Sequence, residues 1–139
     1  MENVKKLETK KILSEKEIET LKVFLDKKNH YLKSKEKVLL HFDYEDFNIR
    51  AKGDKITGIL DFGDLSSGPR AYDIARPFLN HYKTKKLDYF LKGYGKINTD
   101  EVKFYAVLDL VWLIFFGIYI KDKKNTKRNI KILKDLILN

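Results

Sequence analysis

The sequence predicts an α+β protein, mostly helical, with a small β-hairpin ahead of its last helices. Three observations carry this. Ser14-Glu15-Lys16-Glu17 reads as a capping box ahead of an apolar-periodic stretch. Two short β-prone runs flank Lys52-Gly53-Asp54-Lys55, a turn signal with Gly and Asp. From 104 to 120 the chain runs FYAVLDLVWLIFFGIYI, 17 residues with Asp109 as the one charge.

Taken in order, the elements follow from local pattern. Glu15–Lys28 is a helix, with Ser14 at its N-cap and Ile18, Leu21, Phe24 and Leu25 on one face. Val38–Leu40 is a short buried strand. Strands at 48–51 and 56–60 form the hairpin, which is too small to stand alone and is expected to sit on the helices. Gly68-Pro69 breaks the chain. Helices follow at 73–82 and at 84–94, the second with Thr84 as cap and Gly93 near its stop. The long apolar helix spans 100–120, with Trp112, Phe115 and Phe116 in the core and Asp109 either at an exposed edge or facing a cleft. The last helix, 125–138, sets Ile130, Leu133 and Ile137 on one face. The whole chain, 1–139, is expected to form a single domain, long enough to bury a core.

Composition narrows the function classes. Apolar residues at 43% and aromatics at 13% place the chain among folded globular proteins. The absence of cysteine excludes disulfides and thiolate chemistry. His30, His41 and His81 are too scattered for a zinc site. The opening MENVKKLETKK has no apolar core of a secretory signal, and the 104–120 run is short for a membrane span and carries Asp109. The expected compartment is therefore the cytoplasm, with no membrane partner. Net charge is +9, yet only four of 29 cations are arginine: Arg50, Arg70, Arg76 and Arg128. Scattered lysine serves solubility, and no helix-turn-helix, RNA-recognition or zinc-finger pattern is present, so no nucleic-acid partner is expected. Charge is segregated. Residues 41–80 hold seven acids against five bases, net −2, which leaves +11 for the rest.

That acidic segment carries the chemistry. His41-Phe42-Asp43-Tyr44-Glu45-Asp46-Phe47-Asn48 has the form H-x-D-x-x-x-x-N, and Asp61-Phe62-Gly63 follows after the hairpin. The pair matches a protein-kinase catalytic loop and its D-F-G. Phosphoryl transfer needs a carboxylate to orient the attacking hydroxyl and hard oxygen donors for Mg²⁺ on the nucleotide phosphates. The bland alternative is that Asp43 and Asp61 merely cap turns.

With its continuation, LLHFDYEDFN…ITGILDFGDLSSGPRAYDIA resembles the aminoglycoside phosphotransferase and choline kinase-like family, in the C-terminal lobe of a protein kinase-like fold. That family's loop reads H-G-D-x-x-x-x-N, then a strand, I-D-F/W, and G-x-x-x-x-D-L-A, the last being Gly68…Asp73-Ile74-Ala75 here. The resemblance covers the chain from about Ser14 onward. It implies that Asp43 is the catalytic base and that Asn48 and Asp61 bind Mg²⁺. It implies that His41 and Asp73 hold the loop. The implied reaction transfers the γ-phosphate of ATP or GTP to a hydroxyl of a small molecule, such as an aminoglycoside or an amino alcohol. Glu45, Asp46 and Asp64 are the acids expected on the side of a cationic acceptor.

Two departures stand beside the resemblance. Phe42 replaces the usual glycine, and Asp46-Phe47 replaces a common Pro-Gly, placing the Asp46 charge near the expected metal. No Gly-rich loop precedes His41, and no strand lysine with a helix acid is assignable. The N-terminal nucleotide-binding lobe is thus expected to be absent, as in a fragment, a truncated product or a free-standing lobe. The rate of transfer should suffer, because such catalysis is positioning and electrostatics. A homodimer or a partner chain is expected on the face so opened. The alternative function is a non-catalytic kinase lobe that binds a partner or a metal.

Overall fold

The computed structural model describes residues 2–138. Two compact units emerge. One gathers the described residues up to Lys33 and from Lys103 onward, and the other is Ser34–Val102.

The first unit is helical. Helices α1 (Glu2–Thr9), α2 (Glu15–Lys28) and α6 (Lys123–Leu138) belong to it, with most of α5 (Thr99–Tyr119). The capping box that opens α2 is complete: the Glu17 N–H donates to Ser14 Oγ at 3.3 Å and the Ser14 N–H to Glu17 Oε2 at 2.8 Å. Ile18, Leu21 and Leu25 are buried along α2, and Ile132, Leu133, Leu136 and Ile137 along α6. Glu17 also takes Lys134 Nζ at 2.7 Å, joining the two helices. The lysine ammonium, foremost, holds the Glu17 carboxyl below its usual value. The α5 helix is apolar nearly all round and supplies the largest buried set, including Phe104, Leu110 and Ile114. By length and composition it is the one described helix able to cross a membrane, and half of its most apolar stretch is buried. Trp112 and Phe116 are corrections to the expected core. They are 46% and 43% exposed and stack on each other at 5.0 Å. Both follow from the helix period, since residues four apart share a face and here that face is turned outward.

The second unit carries the strands. β1 (Val38–Leu40) pairs antiparallel with β4 (Ser66–Gly68), a strand the sequence does not announce, with Leu40 opposite Ser66 and Val38 opposite Gly68. The fit at Gly68 is close, since a Cβ there would lie 3.0 Å from Leu40 Cδ1. The expected burial of β1 holds only for Leu40, because Leu39 points the other way and is 71% exposed. The hairpin is β2 (Ile49–Lys52) and β3 (Lys55–Ile59), closed through Gly53 at φ +58° and bulged between Arg50 and Ala51. Ile56 and Ile59 are both exposed, while Ile49 is half-buried and shares a small cleft with Pro77 of α3 and Phe90 of α4.

Helices α3 (Arg70–Asn80) and α4 (Lys85–Tyr94) complete this unit. The α3 helix starts right after Pro69, three residues earlier than the polar pattern implies, and Ala71, Ile74, Ala75, Phe78 and Leu79 form its buried side. Thr84 occupies the N-cap position of α4 without capping it, since its hydroxyl donates to the His81 carbonyl at 2.8 Å.

Candidate functional site

The strand β1 delivers the chain into a tight loop, residues 41–48, and two side chains fix its shape from within. His41 is 6% exposed, and its Nε2 lies 2.8 Å from the Leu60 carbonyl. A carbonyl only accepts, so Nε2 carries the proton and the ring is held as that tautomer. Nδ1 is buried with no hydrogen-bond partner, and the ring packs against Phe62 at 4.7 Å. Asn48 is equally buried. Its Nδ2 donates to the Asp43 carbonyl at 2.9 Å and to Asp43 Oδ2 at 2.8 Å. That commits the amide nitrogen and leaves the amide oxygen as a hard donor.

The loop is tied to the D-F-G segment by main chain. The Leu60 N–H donates to the Asn48 carbonyl at 2.8 Å, so residues adjacent to Asp61 are anchored to both ends of the 41–48 loop, through His41 and Asn48. Asp61 itself has φ +59°, a left-handed conformation that Asp tolerates better than most residues. Its exposed carboxylate takes the Gly63 N–H at 3.4 Å. From the other side, Asp73 in the first turn of α3 accepts the Phe42 N–H on Oδ1 at 2.7 Å. Among the described residues, no three His, Cys, Asp or Glu side chains converge as a self-contained metal site would require.

Residues 4–105 match the phosphotransferase enzyme family. The chain belongs to that family. No curated protein matches it. Two solved structures share the fold at 12% identity. The apo form of a thermostable mutant of aminoglycoside phosphotransferase APH(4)-Ia gives a TM-score of 0.71 over 94% of this chain and 47% of that one. A variant of that mutant, in a ternary complex with AMP-PNP and hygromycin B, gives 0.70 over 94% and 46%. The chain thus spans about half the length of these structures, as a partial lobe of the kinase-like fold.

Within this phosphotransferase lobe, His41, Leu60, Asn48 and Asp43 form one hydrogen-bonded chain, Asp73 holds the intervening Phe42 N–H, and Asp61 stands exposed beside Leu60. The three acids expected toward an acceptor are placed differently from one another. Glu45 lies 3.9 Å from Arg76 Nη1, with both partly buried. Asp46 lies 3.1 Å from His81 Nε2 and 3.4 Å from Lys86 Nζ. Burial pushes the Asp46 carboxyl up, but His81 and Lys86 outweigh it and hold it below its usual value. Beside this cluster is a cleft of about 30 Å³, room for a water molecule, walled by Tyr44, Pro77 and Phe90 among others. Asp64 is exposed in the turn after Gly63. The sequence carried no sign that His81 meets Asp46, since the two are 35 residues apart and share no motif.

Proposed function

We propose that this lobe serves phosphoryl transfer from ATP or GTP to a hydroxyl of a small molecule, with an aminoglycoside or an amino alcohol as the acceptor class. The observation that carries the reading is Asp43 held by Asn48 at 2.8 Å, next to a main-chain tie that brings the D-F-G strand to the same loop. Asp43 is the base that orients the acceptor hydroxyl and takes its proton. The Asn48 amide oxygen and the Asp61 carboxylate are the protein donors for Mg²⁺. Two protein oxygens suffice there, because Mg²⁺ fills its remaining positions with phosphate oxygens and water. The metal neutralises charge on the transferring phosphate. That contribution matters here, since Ser34–Val102 holds twelve bases against eleven acids and offers no broad cationic field of its own. A relative that binds AMP-PNP together with hygromycin B supports both the donor and the acceptor class.

The half-length match favours a second polypeptide segment, or a second copy, against the exposed apolar side chains of the strand-bearing unit. The alternative is that the lobe binds its partner without turnover. Calorimetric titration of Mg²⁺–ATP into the full chain tests the primary reading, with Asp61→Asn as control. Asparagine accepts the left-handed backbone at 61, so the control changes the ligand charge and little else. Binding present in the wild type and lost in the control is expected. Equal heats in both proteins, or none in either, would remove the metal site from this chain. Where transfer is detectable, Asp43→Asn should lower kcat by about 10²–10⁴-fold.

A further inference from the structure

We propose that Phe42 and Tyr72 form an aromatic latch that positions Asp43, so that the turn bearing the acid depends on a ring contact rather than on a glycine. The proposal rests on the reading of Asp43 as the base. Phe42 has φ +63°, in the left-handed region that bulky side chains rarely adopt. Something must hold it there. Two neighbouring residues of α3 do so, each on a different part of Phe42. Asp73 accepts its N–H at 2.7 Å, and Tyr72 meets its ring edge-on, with centroids 4.7 Å apart and planes at 88°. Edge-to-face geometry sets the positive rim of one ring against the negative face of the other. The backbone leaving Phe42 leads at once to Asp43, whose carbonyl and carboxylate are gripped by Asn48. The turn is therefore clamped at both ends, from α3 on one side and from Asn48 on the other.

A glycine at 42 would need the Asp73 bond alone, because it enters this conformation without penalty. Phenylalanine makes the same turn conditional on Tyr72. Both rings are only partly buried, so removing one does not open a core cavity. Phe42 and Tyr72 are thus positioning residues: they act on the reaction through the place they give Asp43.

The Phe42 amide, bonded to Asp73, reports the state of the turn by hydrogen exchange in the full chain. Tyr72→Leu should speed exchange at that amide about three- to tenfold, while Tyr72→Phe leaves it unchanged. In a Phe42→Gly background, Tyr72→Leu should add nothing. No acceleration in the wild type, or the same acceleration in both backgrounds, would overturn the latch. Should Tyr72→Leu unfold the chain, Phe42→Leu keeps the backbone penalty and removes the ring, and the same acceleration is required of it. In turnover, Tyr72→Leu should lower kcat and spare the KM for nucleotide, with Tyr72→Phe restoring kcat. A fall in both Tyr72→Leu parameters, unrescued by Phe, would speak against positioning. If the exchange coupling is found but transfer is indifferent to Asp43→Asn, the latch stands and the assignment of the base falls.

Discussion

Asp73 is half-buried and aims a carboxylate at the N–H of Phe42, which leads into the acid-bearing turn. Its bond to Phe42 spans 31 residues of sequence, and its place in the first turn of α3 lets the helix dipole favour the charge. Removing it leaves a partly buried N–H with no acceptor. Asp73→Ala should therefore cost about 1–3 kcal/mol in urea denaturation. A loss below about 0.5 kcal/mol would mean that water replaces the carboxylate at that amide. At this scale the sequence was informative where chemistry is written as a local string. H-x-D-x-x-x-x-N and D-F-G name His41, Asp43, Asn48 and Asp61 as local strings, and the structure ties the loop of the first to Leu60 beside the second. The sequence was silent where the contact is made at long range. Tyr72 against Phe42 and His81 against Asp46 leave no periodicity and no motif, so only the folded chain brings them together.

At the scale of elements, the joint between α5 and α6 is close-packed around Gly117. A Cβ built on Gly117 would lie 2.5 Å from Thr126 Oγ1. That oxygen is not free to swing away, since it donates to the Asp122 carbonyl at 2.6 Å. Thr126 is also β-branched, with few rotamers open to it on a helix. Gly117→Ala should then destabilise the helical unit by about 1–3 kcal/mol despite alanine's better helix propensity. Thermal melting of the variant checks this, and an unchanged or raised Tm would show that the turn at Lys121 gives way instead. Helices were the legible part of the fold, because capping boxes and a 3.6-residue apolar period are local physics. The two bounds of α2 are the ones expected, and α6 starts two residues before the expected 125. β4 was illegible: Ser66-Ser67-Gly68 has no β-propensity and becomes a strand only because β1 lies beside it. The burial of the hairpin was misjudged for a related reason. Its apolar residues fit a half-buried face, yet only Ile49 is partly covered, while Ile56 and Ile59 are exposed.

For the whole molecule, the question is what meets the apolar side chains left in solvent. Leu39, Ile56, Leu60, Phe62 and Leu65 are all exposed on or beside the strands of the 34–102 unit, from 40% to 71%. Scattered apolar side chains are ordinary on a surface, but these five, with Phe47 and Ile59 also exposed, all fall within residues 39–65, more than scatter requires. If a second copy covers them, light scattering should give a mass above that of one chain, rising with concentration, and Ile56→Lys together with Phe62→Lys should return it to one. A clean monomer at high concentration would dismiss self-association and leave a separate segment as the partner.

The backbone at position 42 also bears on how this chain can change by mutation. No single-nucleotide step turns a phenylalanine codon into a glycine codon. The route passes through valine or cysteine. Valine, branched at Cβ, is among the worst residues for a left-handed backbone, and neither intermediate keeps a ring against Tyr72. Each intermediate thus keeps a backbone penalty while losing the contact that offsets it. On the latch reading, the step from phenylalanine to glycine passes through a less stable turn, and loss of the aromatic ring at Tyr72 would weaken the turn in the same way.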